Sequence, residues 1–379
     1  MDFLQSTSSN TPYFDRVEFR TQTDDFELSK QRYSVRLYPN GLGETEAGRK
    51  VYETSLRRSK IQREFQLHQG LKKRYFLVID LLHSLKILEL NRKAKAVYKD
   101  MEIVLDKSRN CLDFDIKDLI DASDDHTETQ LEVIEIESRV KNIEDAIRWC
   151  VSAEGPVTFS TENMADTDLI RDITKQLGDT LAPDNAAVND SNLRVELARN
   201  WHELEEAQSR KHIRFLELSY DNEERHDASK AYFLELGVTL PFVVSNRLDV
   251  NRRKLQLLTE ESREKELKRT LEERLATSSG DIKRLLAQYA VLSEVKQQAG
   301  TETLLKLYMQ IEGVSPLVLL EMKESVLKRD IALERIRYEI FTNYIDLLDI
   351  TGKLSEKPLR NYISADLERI TPCEGDVRK

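Results

Sequence analysis

Proline and glycine are scarce in this sequence, at 8 and 12 residues out of 379. A compact enzyme needs more of both for its loops, so the chain reads as long helices or coiled coil. Cysteine is rarer still. Cys111, Cys150 and Cys373 lie far apart with no CxxC pair, which argues against a disulfide framework or a thiolate metal site and leaves them as unpaired thiols. The histidines form no HxxxH or HExxH pair, so no zinc site is read. No nucleophile–base constellation stands out either. The chain is read as a non-enzyme, with no catalytic, cofactor-binding or metal-ligating residue and no cofactor. No run of 18 apolar residues is present, which excludes a transmembrane helix. The opening MDFLQSTSSNTPYF has neither a basic n-region nor an apolar h-region, so no secretory signal is read there. Nor is there a basic patch with interleaved aromatics. The net charge is −10, and nucleic acid is not an expected partner.

What the chain does contain is charge and helix formers, with 33% of its residues ionisable as Asp, Glu, Lys or Arg. Two β-favouring stretches come first, DRVEFRTQT and KQRYSVRLYP. In the second, Tyr33, Val35 and Leu37 share one face and Arg32, Ser34 and Arg36 the other, and Pro39-Asn40-Gly41 closes it with turn chemistry. From about Glu44 to Arg109 no proline occurs, and Phe76, Ile79, Leu82, Leu85, Leu88 and Leu90 recur at helical spacing. A helix of that span is roughly 100 Å long and needs lateral partners. A second helix is expected over Ile116–Cys150, with an apolar stripe of Leu131, Ile134, Ile136, Val140, Ile143 and Ile147. A mixed linker follows, with a short helix around Asp168–Leu177, and helix returns at Leu193–Gln208. RKHIRFLELSYDN and YFLELGVTLPF read as a third and fourth strand. A long charged helix over about 243–311 and another over Leu317–Leu354 complete the pattern.

Strand, strand, long helix, break and shorter helix thus occur twice. Pro39 to Asp121 is 82 residues and Pro241 to Glu321 is 80. At the breaks, Asp118-Leu119-Ile120-Asp121 lines up with Val318-Leu319-Leu320-Glu321. Such periodicity points to internal duplication. The expected division is a disordered N-terminus (1–12), a first repeat (13–153), a linker or equatorial segment (154–192), a second repeat (193–354) and a polar, frayed tail (355–379). Two strand pairs make no stable sheet alone. Joining them to strands of further copies as a closed barrel removes their edges, and a cyclic oligomer with a β-barrel and a helical tube follows from these needs.

In this order, length and signature the sequence resembles the TolC-like outer-membrane efflux proteins. LELGVTLPF (234–242) is similar to that family's last barrel strand, IEGVSPLVLLE (311–321) to its helix-to-helix tip, KDLIDA (117–122) to the matching first tip, and NWHELEEAQSRKHIRFLELSYDN (200–222) to the helix entering the third strand. The resemblance covers roughly residues 12–355. It implies a mainly α fold with a small β part: a homotrimer in which each protomer gives four strands to an outer-membrane barrel in lipid and its helices to a periplasmic α-helical tunnel. It further implies passive export with an inner-membrane pump and a periplasmic adaptor, and location in the outer membrane. Only about a dozen residues precede the first strand where the family has a helix. With the missing signal, this makes a divergent or N-terminally truncated member the expectation. An elongated coiled-coil scaffold without a barrel is the alternative reading.

The resemblance assigns Asp118, Asp121 and Glu321 to the pore constriction at the periplasmic tips. As plain chemistry they are also carboxylates near helix N-termini, which the macrodipole stabilises. It assigns Gly313 and Pro316 to the tip turn and adaptor docking; an ordinary helix–helix loop uses the same pair. Leu234, Leu236, Val238 and Leu240, with Tyr232 and Phe242, form one strand face, either a lipid face or the core of a small soluble β-domain. The charged stretch REKELKRTLEERL reads as a solvated helix face, and Trp149 and Trp201 as packing residues.

Overall fold

The structure, a computed structural model, describes residues 13–23, 30–41, 43–109, 114–151, 163–177, 185–222, 231–238, 247–298, 307–308, 310 and 314–369. Its elements run β1 (Phe14–Thr23), β2 (Gln31–Pro39), α1 (Glu44–Lys107), α2 (Ile116–Val151), α3 (Thr167–Leu177), α4 (Ala186–Ser209), β3 (Ile213–Asp221), β4 (Tyr232–Val238), α5 (Arg247–Gln298) and α6 (Pro316–Ile350), then a 3-10 turn over Lys353–Ser355. The chain is mostly helical, with one small antiparallel sheet. It divides into two compact units, residues 1–65 with 186–270 and residues 66–185 with 271–379. The expected N-terminal segment 1–12, Gly313, Leu240 and Phe242 lie outside the described residues.

The first unit holds the sheet, the start of α1, α4 and the first part of α5. β2 turns into α1 through Gly41, Gly43 and Glu44. Gly43 has φ +82°, a conformation glycine reaches without steric cost. A Cβ on Gly41 would stand 2.9 Å from the Ala207 carbonyl oxygen, so α4 passes too close for any larger residue. The Gly41 N–H donates to Glu44 Oε2 at 2.6 Å, and Gln208 Nε2 donates to Glu44 Oε1 at 3.0 Å. One carboxylate therefore ties the strand end, the helix start and the end of α4. Further along, α1 meets α4 through polar groups. Thr54 is 1% exposed and its hydroxyl accepts from Asn200 Nδ2 at 2.9 Å. Val195, Ala198 and Leu257 form a small apolar seam between α4 and α5.

Helix α4 begins seven residues earlier than its composition indicates. Ala186–Asn192, read as linker for its Asn, Asp and Ser, is helical. The loop-forming residues are consumed by specific partners: Asp190 is buried between Arg58 (3.3 Å) and Arg194 (2.7 Å). Neutralisation by two guanidiniums overrides the weak helix propensity of aspartate.

The second unit has the larger core. Tyr75 and Ile79 of α1, Ile170 of α3, Leu275, Ile282 and Leu285 of α5, and Ile340, Tyr344, Ile345 and Leu348 of α6 pack with Ala165, Leu354 and Tyr362. Leu81, Ile87 and Leu88 of α1 pack against Val133, Ile136, Val140 and Ile147 of α2. The expected α2 stripe is thus half right: Leu131 and Ile134 are exposed, and Val133 takes the buried place. Trp149, expected to pack, is 86% exposed. Trp201 is half-buried, with the Arg253 guanidinium 4.9 Å from its ring centre.

The segment after α6 is not frayed as far as residue 369. Gly352, at φ +73°, ends the helix earlier than Leu354. The chain then pairs Arg360 with Arg369 and Ser364 with Met164. Tyr75 fixes it: its hydroxyl donates to the Arg360 carbonyl at 2.8 Å and accepts from the Tyr362 N–H at 3.2 Å. Composition misled here because a few buried side chains, Leu354 and Tyr362 foremost, anchor an otherwise polar stretch. Tyr75→Phe removes both hydrogen bonds at once. It is expected to cost about 1–3 kcal/mol and to open residues 356–369 to limited proteolysis; unchanged protection there would contradict the anchor.

A buried ionic cluster holds α1 to the end of α6. Asp349 receives His68 Nε2 and Lys72 Nζ, and Lys72 also reaches Asp346 at 2.7 Å. Burial pushes the Asp349 carboxyl upward, but the hydrogen bonds and charges of His68 and Lys72 outweigh it and hold it below the usual carboxylate range. A carboxylate depressed on folding adds stability above its unfolded value, and that stability is lost as pH falls through the folded one. Lys72→Met should therefore start acid unfolding at a higher pH than in the parent chain, followed by circular dichroism. An unchanged acid midpoint would show that Lys72 does not stabilise this carboxylate.

Candidate functional site

The sheet has the order β1-β2-β3-β4, every neighbour antiparallel, and its pairing sorts the side chains into rows. Val17, Leu37, Leu216 and Leu236 pair across all four strands, as do Phe19, Val35, Leu218 and Leu234. The next such row is Thr21, Tyr33, Tyr220 and Tyr232. Paired residues point to one side of a pleated sheet, so these rows form a continuous apolar face edged by tyrosines. This apolar face is open to solvent: Phe19 is 80% and Leu234 71% accessible. The sequence-expected positions Leu234, Leu236 and Val238 all belong to β4 and are exposed.

The alternate rows carry the charge. Glu18, Arg36, Glu217 and Glu235 pair in one, Arg20, Ser34, Ser219 and Phe233 in the next, and Gln22, Arg32 and Asp221 in a third. Most of these groups satisfy one another. Arg36 bonds Glu217, Arg32 Nη2 reaches Asp221 at 2.8 Å, and Arg20 Nη2 reaches Glu18 at 2.6 Å. Guanidiniums also lie over rings: Arg16 over Tyr38 at 4.5 Å and Arg36 over Phe215 at 4.1 Å. Gly237 is glycine because the Phe215 ring occupies the space where its Cβ would stand. Sequence reading found the alternation in β2. It missed the matching charges of β1 and β3; the pairing of β3 with β2 joins residues as far as 189 positions apart.

At the other expected site, α2 and α6 begin beside the end of α1. Ala122 and Leu320 are buried with Val97, Tyr98, Met101 and Leu105, and Leu119 and Leu317 pack at the margin. Both helix starts thus cover one apolar cluster. Asp118, Asp121 and Glu321 all point away from it into solvent, with no hydrogen bond or ion pair among the described residues. Pro316 is the first residue of α6, after Ser315 in extended conformation; this is the place where proline's fixed φ and missing N–H suit a helix.

A groove of about 560 Å³ follows, between Asn91–Tyr98 of α1, Asp125–Glu132 of α2 and Glu324–Ile336 of α6. Sequence reading did not single out its charged residues, since each is one of many acids on a charged helix. Tyr98 donates to Glu324 Oε1 at 2.9 Å, and Lys328 reaches the same oxygen at 2.6 Å. Burial pushes the Asp125 carboxyl above its ordinary value; Glu324, Glu128 and Asp121 add to the shift and Lys328 opposes it. Of the tip carboxylates, Asp121 thus acts on the groove, as the smallest of these contributions. Among the described residues no cluster of metal ligands occurs, and no helix is long and apolar enough to cross a membrane.

A scan of protein-family profiles finds none that matches the sequence, and no curated protein matches it significantly. Solved structures do match the fold. The outer membrane protein VceC of Vibrio cholerae aligns with a TM-score of 0.61 at 14% identity, over 89% of this chain and 85% of that one. The CmeC outer membrane channel of Campylobacter jejuni gives 0.63 at 13% identity, over 93% and 79%. The MtrE outer membrane channel of Neisseria gonorrhoeae gives 0.58 at 13% identity, over 90% and 81%. The chain therefore has the TolC-like fold of these channel proteins, as the order of its elements implies.

A face that meets lipid and a face that meets water respond oppositely to added charge. Leu218→Arg is expected to lower the yield of protein folded into liposomes, by about 2–4 kcal/mol near the bilayer centre. Gln22→Arg, on the charged face, should be tolerated. Equal tolerance of both would mean that the apolar face does not contact lipid.

Proposed function

We propose that this chain is the protomer of an outer-membrane exit duct. Three copies of the four-stranded sheet close into a barrel of twelve strands, its apolar rows outward to lipid and its charged rows lining the lumen. The two halves of the chain are repeats, and their long helices continue the lumen as a tunnel through the periplasm. Transport is passive: a pump in the inner membrane and a periplasmic adaptor deliver the cargo, and the duct conducts it out. The single observation that carries this reading is the inverted sheet. Its exposed side is aliphatic and aromatic, and its charges are paired on the other side. Strands of 9 or 10 residues in β1–β3 fit the length that spans a bilayer when tilted. The channel structures with this fold support the same reading.

In this duct Asp118, Asp121 and Glu321 ring the tip constriction, where carboxylates from three copies concentrate negative potential and favour cations. The adaptor docks at the tip where Pro316 opens α6, and Leu234, Leu236 and Val238 of β4 face lipid.

The purified chain in detergent should be a trimer by light scattering and form cation-preferring pores in planar bilayers. Asp118→Asn, Asp121→Asn and Glu321→Gln together should reduce the cation preference while leaving the trimer intact. A monodisperse, detergent-free monomer would sink the duct. A trimer with unchanged selectivity in the triple variant would remove only the carboxylates' role.

A further inference from the structure

Charge on the polar side of the sheet balances inside it but not at its two edges. In the rows paired between β2 and β3 each guanidinium has its own carboxylate, Arg36 with Glu217 and Arg32 with Asp221; Arg214, at the bulge between Ile213 and Phe215, stands outside these rows. On edge strand β1, Arg16 and Arg20 share one carboxylate, Glu18, at 2.7 and 2.6 Å. In the paired rows of that edge two guanidiniums thus meet one carboxylate; Asp15, at the bulge between Phe14 and Arg16, adds only the weakest of the attractions on Arg16. On edge strand β4, Glu235 is the sole charged residue. It makes no hydrogen bond or ion pair among the described residues, and its cross-strand neighbour is Glu217, a like charge already held by Arg36. One edge lacks an anion and the other lacks a cation.

We propose that Glu235 is completed by Arg16 and Arg20 of a second copy of this chain, with β4 of one copy paired to β1 of the next. This deepens the duct reading and rests on it. Within the sheet β1 runs parallel to β3, so β4 meets a second β1 antiparallel, like every other pair. Antiparallel pairing keeps side chains on their own face, since a slip of one residue would turn Glu235 to the apolar side. Glu235 therefore stands opposite a polar-face position of β1: Arg16, Glu18, Arg20 or Gln22. In each of these registers an arginine is directly opposite or one diagonal step away. Roughly 7–8 Å separates diagonal neighbours, within reach of a long side chain.

The same charges act against wrong assemblies. Two β4 edges would bring Glu235 against Glu235, and two β1 edges would bring arginine pairs together. Only the head-to-tail union of unlike edges joins opposite charges. A heterologous contact of that kind generates a ring when its rotation closes, whereas a self-complementary edge would stop at a dimer. Glu235 is thus a specificity determinant of ring assembly, acting by repulsion as well as attraction.

The test uses the full chain in detergent and follows the temperature at which the oligomer dissociates on gels. Glu235→Arg alone, and Arg16→Glu with Arg20→Glu, should each lower that temperature or release monomer. Combining all three substitutions should restore it, because the reversed charges meet again across the seam. The idea is overturned if the parent chain is oligomeric and Glu235→Arg leaves its dissociation unchanged, or if the combined variant is no better than the single reversals. Should the reversals fail to fold, cysteine at 235 is paired with cysteine at 16 or at 20, with Cys111, Cys150 and Cys373 replaced by serine, and treated with a short bismaleimide. Cross-linked copies from either pair support the seam, and none from both overturns it. A chain that is monomeric throughout defeats both the seam and the duct, whereas an oligomer with the seam but without conductance defeats the duct alone.

Discussion

The two-residue period of the β-strand decides most of what this protein can be. In a sheet of a water-soluble protein the apolar rows turn inward and the charged rows outward. Here the rows Val17–Leu37–Leu216–Leu236 and Phe19–Val35–Leu218–Leu234 are open, and the charged rows are stitched together. Burying one Val, Leu or Phe side chain contributes about 1.5–3 kcal/mol, so leaving two such rows in water forgoes a sum comparable to the stability of a whole domain. The sheet also ends in two open edges, an invitation to pairing. A cover for the face and a continuation for the edges are separate demands, and the proposed lipid-embedded barrel of several copies would meet both.

The helices solve a different problem, which is to hold a long charged rod without a continuous apolar stripe. α1 changes its means of contact along its length. It meets α4 through the buried Thr54–Asn200 hydrogen bond, α6 through the His68–Lys72–Asp349 cluster, and α2 through Leu81, Ile87 and Leu88. Each contact is short, and all but the buried His68 Nδ1 of the polar groups named in them are paired. Buried polar groups are tolerable only when paired, and here the pairing supplies register: an apolar seam can slide by a turn, but Asp349 cannot leave Lys72 without stranding a charge.

Much of this was legible beforehand, and the failures share a cause. Strands β1 to β4, the proline-free run of α1 and the restart at Ile116 follow from alternation, propensity and turn residues, which are local. The misreadings involve partners far along the chain. Ala186–Asn192 looks like a loop until Arg58 neutralises Asp190. The segment beyond Lys357 looks frayed until Tyr75 receives it. Leu131 and Val133 cannot be ranked until α2 is laid against α1. At the tips the sequence identified Asp118, Asp121 and Glu321 but not the groove behind them, because Asp125 and Glu324 acquire meaning only through their mutual approach and the shared Lys328. On the sheet, the apolar face of β4 was visible in one strand, whereas the charge ladder needs three strands in register.

Ionisable groups are used in opposite senses at the two sites. On the sheet nearly every charge has a counter-charge, and removing either member would leave the other partly desolvated. At the tips Asp118, Asp121 and Glu321 have no partner among the described residues, and Asp121 adds to the repulsion that raises Asp125. Such groups contribute nothing to the apolar cluster of Ala122, Leu320 and Met101 beneath them; Asp118 alone stands in a first helical turn, where the helix dipole contributes about 0.3–1 kcal/mol. Fold stability would be served as well by neutral residues there. A negative field at the tip is what the carboxylates supply and neutral residues would not, and in the proposed duct that field would act on the cargo rather than on the fold that carries it.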